Sequence, residues 1–333
     1  MKNSFTEKGK TLKIENKALT FRKEEFGVRY HYYEHPITGD KYTTQELDEI
    51  NLNQLYNQYR AKHHLPFPEE IIAIRNKYAL PATKMSEILG FGINVYRNYE
   101  SGEIPSESNA RLIQLAKDPE EFLKLLKLSR TYEGGELEKR IKIIEEVKDL
   151  EKDFFDVDLE VYMMGDKLPD EYTGFKIPQL DKFVEMVVFF TERLEPYKTK
   201  MNKVLFYSDF LNFKKSCFSI SGARYMAIQL GPVPKNFGTL FDYAANKDHI
   251  DIVYTEFSDG KIGEHFMPRN DRKFNAGLFS REELEVMEII ADKFKPMNTS
   301  KIVDVSHDES GWQKNVEGFK GISYKYGFEL KSV

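Results

Sequence analysis

The sequence predicts a multidomain protein, mainly α with α+β parts: a small N-terminal β-sheet unit, an all-α helix-turn-helix and a C-terminal α+β domain. Three observations carry this prediction. Residues 11–42 alternate apolar and polar side chains in period two, as a half-buried sheet requires. Residues 43–153 switch to helical spacing, and the stretch 69–115 is punctuated as a helix-turn-helix is. Beyond 178, long apolar helices mix with short runs bounded by Gly, Pro and Asp, the pattern of an α+β domain. A chain of 333 residues can support two or three cores. The expected boundaries divide it into 1–62, 63–129, 130–178 and 179–333.

The N-terminal strands carry turn signals at Glu15-Asn16-Lys17 and Thr38-Gly39-Asp40. A helix over 43–62 follows, with Leu47, Ile50, Leu52, Leu55 and Tyr59 on or near one face and Thr44 as its N-cap. After the helix-turn-helix, helices are expected over 119–129 and 135–153, the second a charge-alternating connector. Gly165, Pro169, Gly174 and Pro178 mark 156–178 as the interdomain linker. Helices over 180–194 and 197–214 lead into SISGARYMAIQLGPVP, a turn plus one buried strand. A hairpin around Ser258-Asp259-Gly260-Lys261 comes next, then a helix after Ser280 whose capping box closes on Glu283. A short helix over 298–306 completes the pattern.

Composition narrows the function classes. No apolar run approaches the ~20 residues needed to span a bilayer, and MKNSFTEKGKTLK lacks the apolar core of a secretory signal. The lone Cys217 excludes an intramolecular disulfide and a cysteine-cluster metal site. A cytoplasmic protein without membrane contact is expected. The net charge of −5 implies that any contact with nucleic acid is local, leaving the acidic bulk for another task.

Within 69–115 the first helix (69–78) buries Ile71, Ile72 and Ile74, and the second (82–89) packs Met85, Ile88 and Leu89. Gly90 falls where the tight turn needs a positive φ. In the recognition helix (93–100), Tyr96 and Tyr99 point inward, while Asn94, Arg97 and Asn98 share the outer face at i, i+3 and i+4. Amides can read adenine and a guanidinium guanine in a major groove, which makes double-stranded DNA the expected partner. Few basic residues surround them, so weak non-specific binding and reliance on a homodimer follow. The phrases LGFG and YESG resemble the Xre/Cro-type helix-turn-helix family. That resemblance implies a structural pair between Glu100 and Arg75. Pro81-Ala82 replaces the family's usual Ser-Gln, leaving Lys84 to make the phosphate contact.

The sheet and TTQELDEINLNQLYNQYRAKHHLPFPEEI resemble the N-terminal half of MqsA-type antitoxins, in which a small zinc domain precedes the same motif. The family's Cys-x-x-Cys pairs are missing: Asn3-Ser4-Phe5-Thr6 and His35-Pro36-Ile37-Thr38-Gly39 stand in their places. No structural zinc and no other cofactor is expected, with His31 and His35 read as surface residues.

The C-terminal part resembles the Panacea, or SocA-like, family. The phrases are Leu205-Phe206-Tyr207-Ser208-Asp209, Ser221-Gly222, Gly231-Pro232-Val233-Pro234, then His307 and Trp312. The resemblance implies an antitoxin module that neutralises a cognate protein toxin by direct binding. Tyr207, Asp209, Tyr225, Gly231, Pro232, Pro234 and Phe237 are the expected toxin contacts, the prolines holding a rigid extended strand. Trp312 and Leu205 are expected in the core; Tyr225 and the Gly-Pro-Val-Pro run could serve either as core or as surface. No catalytic residue is expected, since His307, Asp308 and Glu309 are adjacent rather than at the i, i+4 spacing of helical ligands. The combined expectation is a type II antitoxin that also represses its own operon. A regulator or proteolytic adaptor without a toxin is the alternative.

Overall fold

The computed structural model describes residues 11–150, 154–257 and 260–333. It is α-rich with three small antiparallel sheets, the mixed class that the sequence predicts. Strands β1 (Thr11–Phe21), β2 (Glu24–Glu34) and β3 (Lys41–Tyr42) form the first sheet in that order. Helices α1 (Gln45–Lys62), α2 (Pro68–Lys77), α3 (Ala82–Ile88), α4 (Val95–Glu100), α5 (Glu107–Leu115), α6 (Pro119–Ser129), α7 (Gly134–Leu150) and α8 (Phe154–Met164) follow. Then come α9 (Leu180–Leu194), α10 (Lys198–Ser216), β4 (Tyr225–Ile228), β5 (Gly231–Pro234) and α11 (Phe237–Asn246). The chain closes with β6 (Asp251–Glu256), β7 (Ile262–Met267), α12 (Arg281–Phe294), α13 (Thr299–His307), α14 (Ser310–Gln313) and β8 (Gly321–Ile322).

By contacts the chain falls into two units, Met1–Leu55 with Leu159–Val333, and Tyr56–Asp158. This grouping cuts across the expected boundary at 62. Within the first unit, the His31 ring meets Phe328 edge-on at 4.9 Å, and Arg29 pairs with Glu329. The thiol of Cys217 donates to the Ile50 carbonyl at 3.4 Å. Sheet, early α1 and C-terminal residues therefore share one packing surface.

Several expectations are corrected. Strand β1 runs unbroken through Glu15-Asn16-Lys17, and the turn lies instead at Arg22-Lys23, with φ of 46° and 69°. Two positive φ values are the mark of a I′ hairpin, a turn that Asn-Gly ordinarily signals and Arg-Lys does not. The expected linker begins within helix α8, and its later part is packed around Thr173 and Phe175, both buried, while Leu168 stays exposed. There Arg224 clamps Asp170 at 2.9 Å. SISGARYMAIQLGPVP is a two-stranded hairpin, β4 pairing antiparallel with β5, because Gln229-Leu230 turns the chain between them. His31 is buried, its backbone bonded through N–H and carbonyl to the Asn51 amide at 2.8 and 2.9 Å. Burial lowers its pKa to about 4, so the ring is neutral. His35 is exposed, as expected. The first place of the zinc-domain comparison, residues 3–6, lies outside the described residues.

Helix α10 organises the first unit. Every residue from Lys200 to Phe213 is buried, including Asn202, Lys203, Ser208, Asp209 and Asn212. A helix enclosed on all sides is ordinarily apolar all round. Most of its polar groups are paired internally, Asn202 Oδ1 being an exception. Lys200 Nζ donates to the Met297 carbonyl at 2.7 Å, and Asn212 Nδ2 to the Phe218 carbonyl at 2.9 Å.

Candidate functional site

Two regions position the residues that the sequence singles out. In the second unit, Ile71, Ile74, Met85, Ile88, Leu89, Tyr96 and Tyr99 share one buried core, with Ile72 only half-buried. Two hydrogen bonds fix α4 in it. Tyr96 OH donates to the Ile71 carbonyl at 2.8 Å, and the Tyr96 amide donates to Ser86 Oγ at 3.0 Å. Gly90 has φ of 71°, the left-handed value the turn before α4 requires. Arg75 Nε meets Glu100 Oε1 at 2.5 Å, tying α2 to the end of α4. Asn94, Arg97 and Asn98 are all exposed, with Asn94 at the N-cap position and no side-chain capping bond. Lys84 is half-buried, its ammonium held 2.7 Å from Glu87, a partner the sequence reading overlooked.

The second region surrounds Asp209 and the Gly-Pro-Val-Pro strand. Asp209 is fully buried and accepts four hydrogen bonds: from the Ile220 and Ser221 amides at 2.8 and 2.9 Å, Ser221 Oγ at 2.7 Å and Tyr225 OH at 2.8 Å. Burial raises its pKa, and the four donors oppose that rise. Tyr207, also buried, donates to Glu309 Oε1 at 3.2 Å. Glu309 in turn accepts from the Lys331 and Ser332 amides, so it pins the last residues of the chain. Gly231, Pro232, Val233 and Pro234 are buried as well.

Beneath β5 lies Lys203, enclosed, donating to the Pro232 carbonyl at 2.8 Å. Desolvation pushes its pKa down to about 7. Gly231 has φ of 97°, and a Cβ there would sit 2.5 Å from Ser306 Oγ and 2.7 Å from Lys203 Cε. Only glycine fits both the dihedral and the space.

Among the seven residues expected to touch a partner, Tyr207, Asp209, Tyr225, Gly231, Pro232 and Pro234 are therefore interior, and Phe237 is half-buried. They shape the interior beneath any contact surface, because their polar atoms and van der Waals faces are already occupied. Leu205 lies in the core as expected. Trp312 does not: it is half-buried, stacked on His307 at 3.9 Å, with Nε1 donating to the Ile228 carbonyl at 2.7 Å.

The structure also exposes two apolar side chains that the sequence reading missed, Leu230 (57%) and Phe319 (55%). Leu230 sits at the tip of the β4–β5 hairpin. Phe319 ends the turn that precedes β8, with φ of 52°. For Leu230 the available signal is its place at the Gln229-Leu230 turn, between two runs of strand spacing. Reading the two strands as one hides that turn.

Residues 201–313, from early α10 to the end of α14, match the model of the family described as antitoxin SocA-like, Panacea domain. The matched segment contains the Asp209 hub, the Gly-Pro-Val-Pro strand and Trp312. No curated protein and no solved structure matches the chain. Among the described residues, no helix is long and apolar enough to cross a membrane.

Proposed function

We propose that the protein is the antitoxin of a type II toxin–antitoxin pair. The observation that carries this reading is the match of residues 201–313 to SocA-like antitoxin domains. In this reading the C-terminal region neutralises a cognate toxin by direct binding. The contact surface draws on the exposed apolar side chains Leu230 and Phe319 and on the half-buried Trp312, over a region held rigid by the buried strand and the Asp209 hub. Rigid apolar anchors cost little ordering entropy on binding, which suits such a surface.

The helix-turn-helix of the second unit then represses the operon as a homodimer on operator DNA. Asn94, Arg97 and Asn98 read bases, and Lys84 meets phosphate once released from Glu87. The exposure of the first three beside two buried tyrosines supports this reading. The MqsA-like N-terminal sheet serves as scaffold without zinc.

The test is co-expression with the product of the neighbouring gene, reading both relief of toxicity and co-purification. Toxicity unaffected by this protein would overturn the antitoxin reading and leave a regulator or adaptor without a toxin.

A further inference from the structure

Strand β1 is an edge. The sheet order is β1-β2-β3, and among the described residues no strand pairs with the outer side of β1. It is eleven residues long, none of them buried, with Ile14 42% exposed. Long free edges invite pairing with another chain. Three of the devices that deter such pairing, a proline, a bulge and a short strand, are absent from Thr11–Phe21; the pairing with β2 is continuous over its whole length.

The strand's own sequence indicates the occupant. In a two-fold antiparallel self-pair, residue i of one copy faces residue j of the other with a fixed sum. The sum that pairs the whole strand is the one centred on Asn16. In that register Glu15 of each copy faces Lys17 of the other, Ile14 faces Ala18, and Leu12 faces Thr20. Shifting by two residues in one direction sets Glu15 against Glu15; in the other it sets Lys17 against Lys17. Full overlap and charge complementarity thus select the same register. We propose that β1 is a homodimer interface, in which two copies join their sheets edge to edge about a two-fold axis at Asn16. This supplies an interface for the homodimer of the proposed function and rests on that reading only for the expectation of a dimer.

The experiment uses the full chain. With Asn16→Cys, mild oxidation gives a covalent dimer, because the two-fold axis brings the two substituted positions within disulfide reach. The buried Cys217 gives none in the unsubstituted chain. Lys17→Glu sets like charge at both positions opposite Glu15, whose carboxylate also meets Lys41 of its own chain at 2.7 Å, and weakens dimerisation in sedimentation by about tenfold or more. Absence of the cross-link, or a dimer unchanged by Lys17→Glu, overturns the β1 interface. If the chain still sediments as a dimer in that case, the dimeric DNA-binding reading stands and the contact lies elsewhere.

Discussion

The hydroxyl of Tyr225 donates to Oδ2 of Asp209 at 2.8 Å, joining strand β4 to the enclosed helix α10. Three further donors converge on the same carboxyl, so Asp209 closes the loop 220–221 and the strand onto one point. Tyr225→Phe removes one donor and lowers stability by about 1–2 kcal/mol. Asp209→Ala leaves four buried donors unpaired and costs about 3–5 kcal/mol. Denaturant unfolding checks the ordering; equal costs for the two variants would mean that the hub is not shared.

Lys203 gives a prediction in pH. Its folded pKa, about 7, lies below the 10.5 of an exposed lysine. Between those values the unfolded chain holds a proton that the folded chain lacks, so stability rises with pH across that window and stays low beneath it. Lys203→Met removes this one-proton slope. It also raises stability at pH 6 by about 1–3 kcal/mol, net of the lost bond to Pro232. Melting curves from pH 6 to 10 measure both effects, and an unchanged slope would contradict the burial argument.

On the DNA side, Asn94→Ala combined with Arg97→Ala abolishes operator binding, a loss of about 2–6 kcal/mol, with toxin neutralisation intact. Lys84→Ala weakens all sequences alike and lowers the salt slope by about one. Fluorescence anisotropy across a salt series separates the two patterns. Joint loss of neutralisation would mean that the halves do not act independently.

Leu230→Asp and Phe319→Asp should each reduce neutralisation by tenfold or more, since buried interface anchors are commonly worth 2 kcal/mol or more. Both side chains are exposed, so the melting temperature should hold. Full neutralisation by the double variant would move the toxin contact elsewhere.

The Arg22-Lys23 turn should gain from redesign. Arg22→Asn with Lys23→Gly relieves two left-handed positions and stabilises the hairpin by about 1–2 kcal/mol. A lower melting temperature would show that the native side chains hold the turn by other contacts.

What the sequence disclosed was local chemistry. The Ser280–Glu283 capping box closes as expected, with bonds of 3.2 and 2.9 Å, and α6 occupies Pro119–Ser129 as its spacing predicts. The inward tyrosines and outward Arg97 and Asn98 follow from helical period alone, whereas Asn94, expected within a helix over 93–100, is exposed at the N-cap of a helix that starts at Val95. What it withheld was decided by distant neighbours. Gly-Pro-Val-Pro reads equally as core or as surface until Lys203 and Ser306, far away in sequence, close against Gly231. Trp312 was assigned to the core by its type, yet one face of its ring is served by His307 and its N–H by Ile228, which suffices without full burial. The first turn was misplaced because the dihedrals at Arg22 and Lys23 are imposed by the pairing of β1 with β2, against the preference of the residues themselves.

The interrupted course of the first unit, Met1–Leu55 resumed at Leu159, imposes an order on synthesis. As the chain leaves the ribosome, the residues of Tyr56–Asp158 are complete first and can close their core at once. The N-terminal hairpin must wait, with the surface destined for Phe328 and Glu329 uncovered, until those two residues arrive. A message cut short after the second unit would therefore release a closed helical core beside an orphaned hairpin.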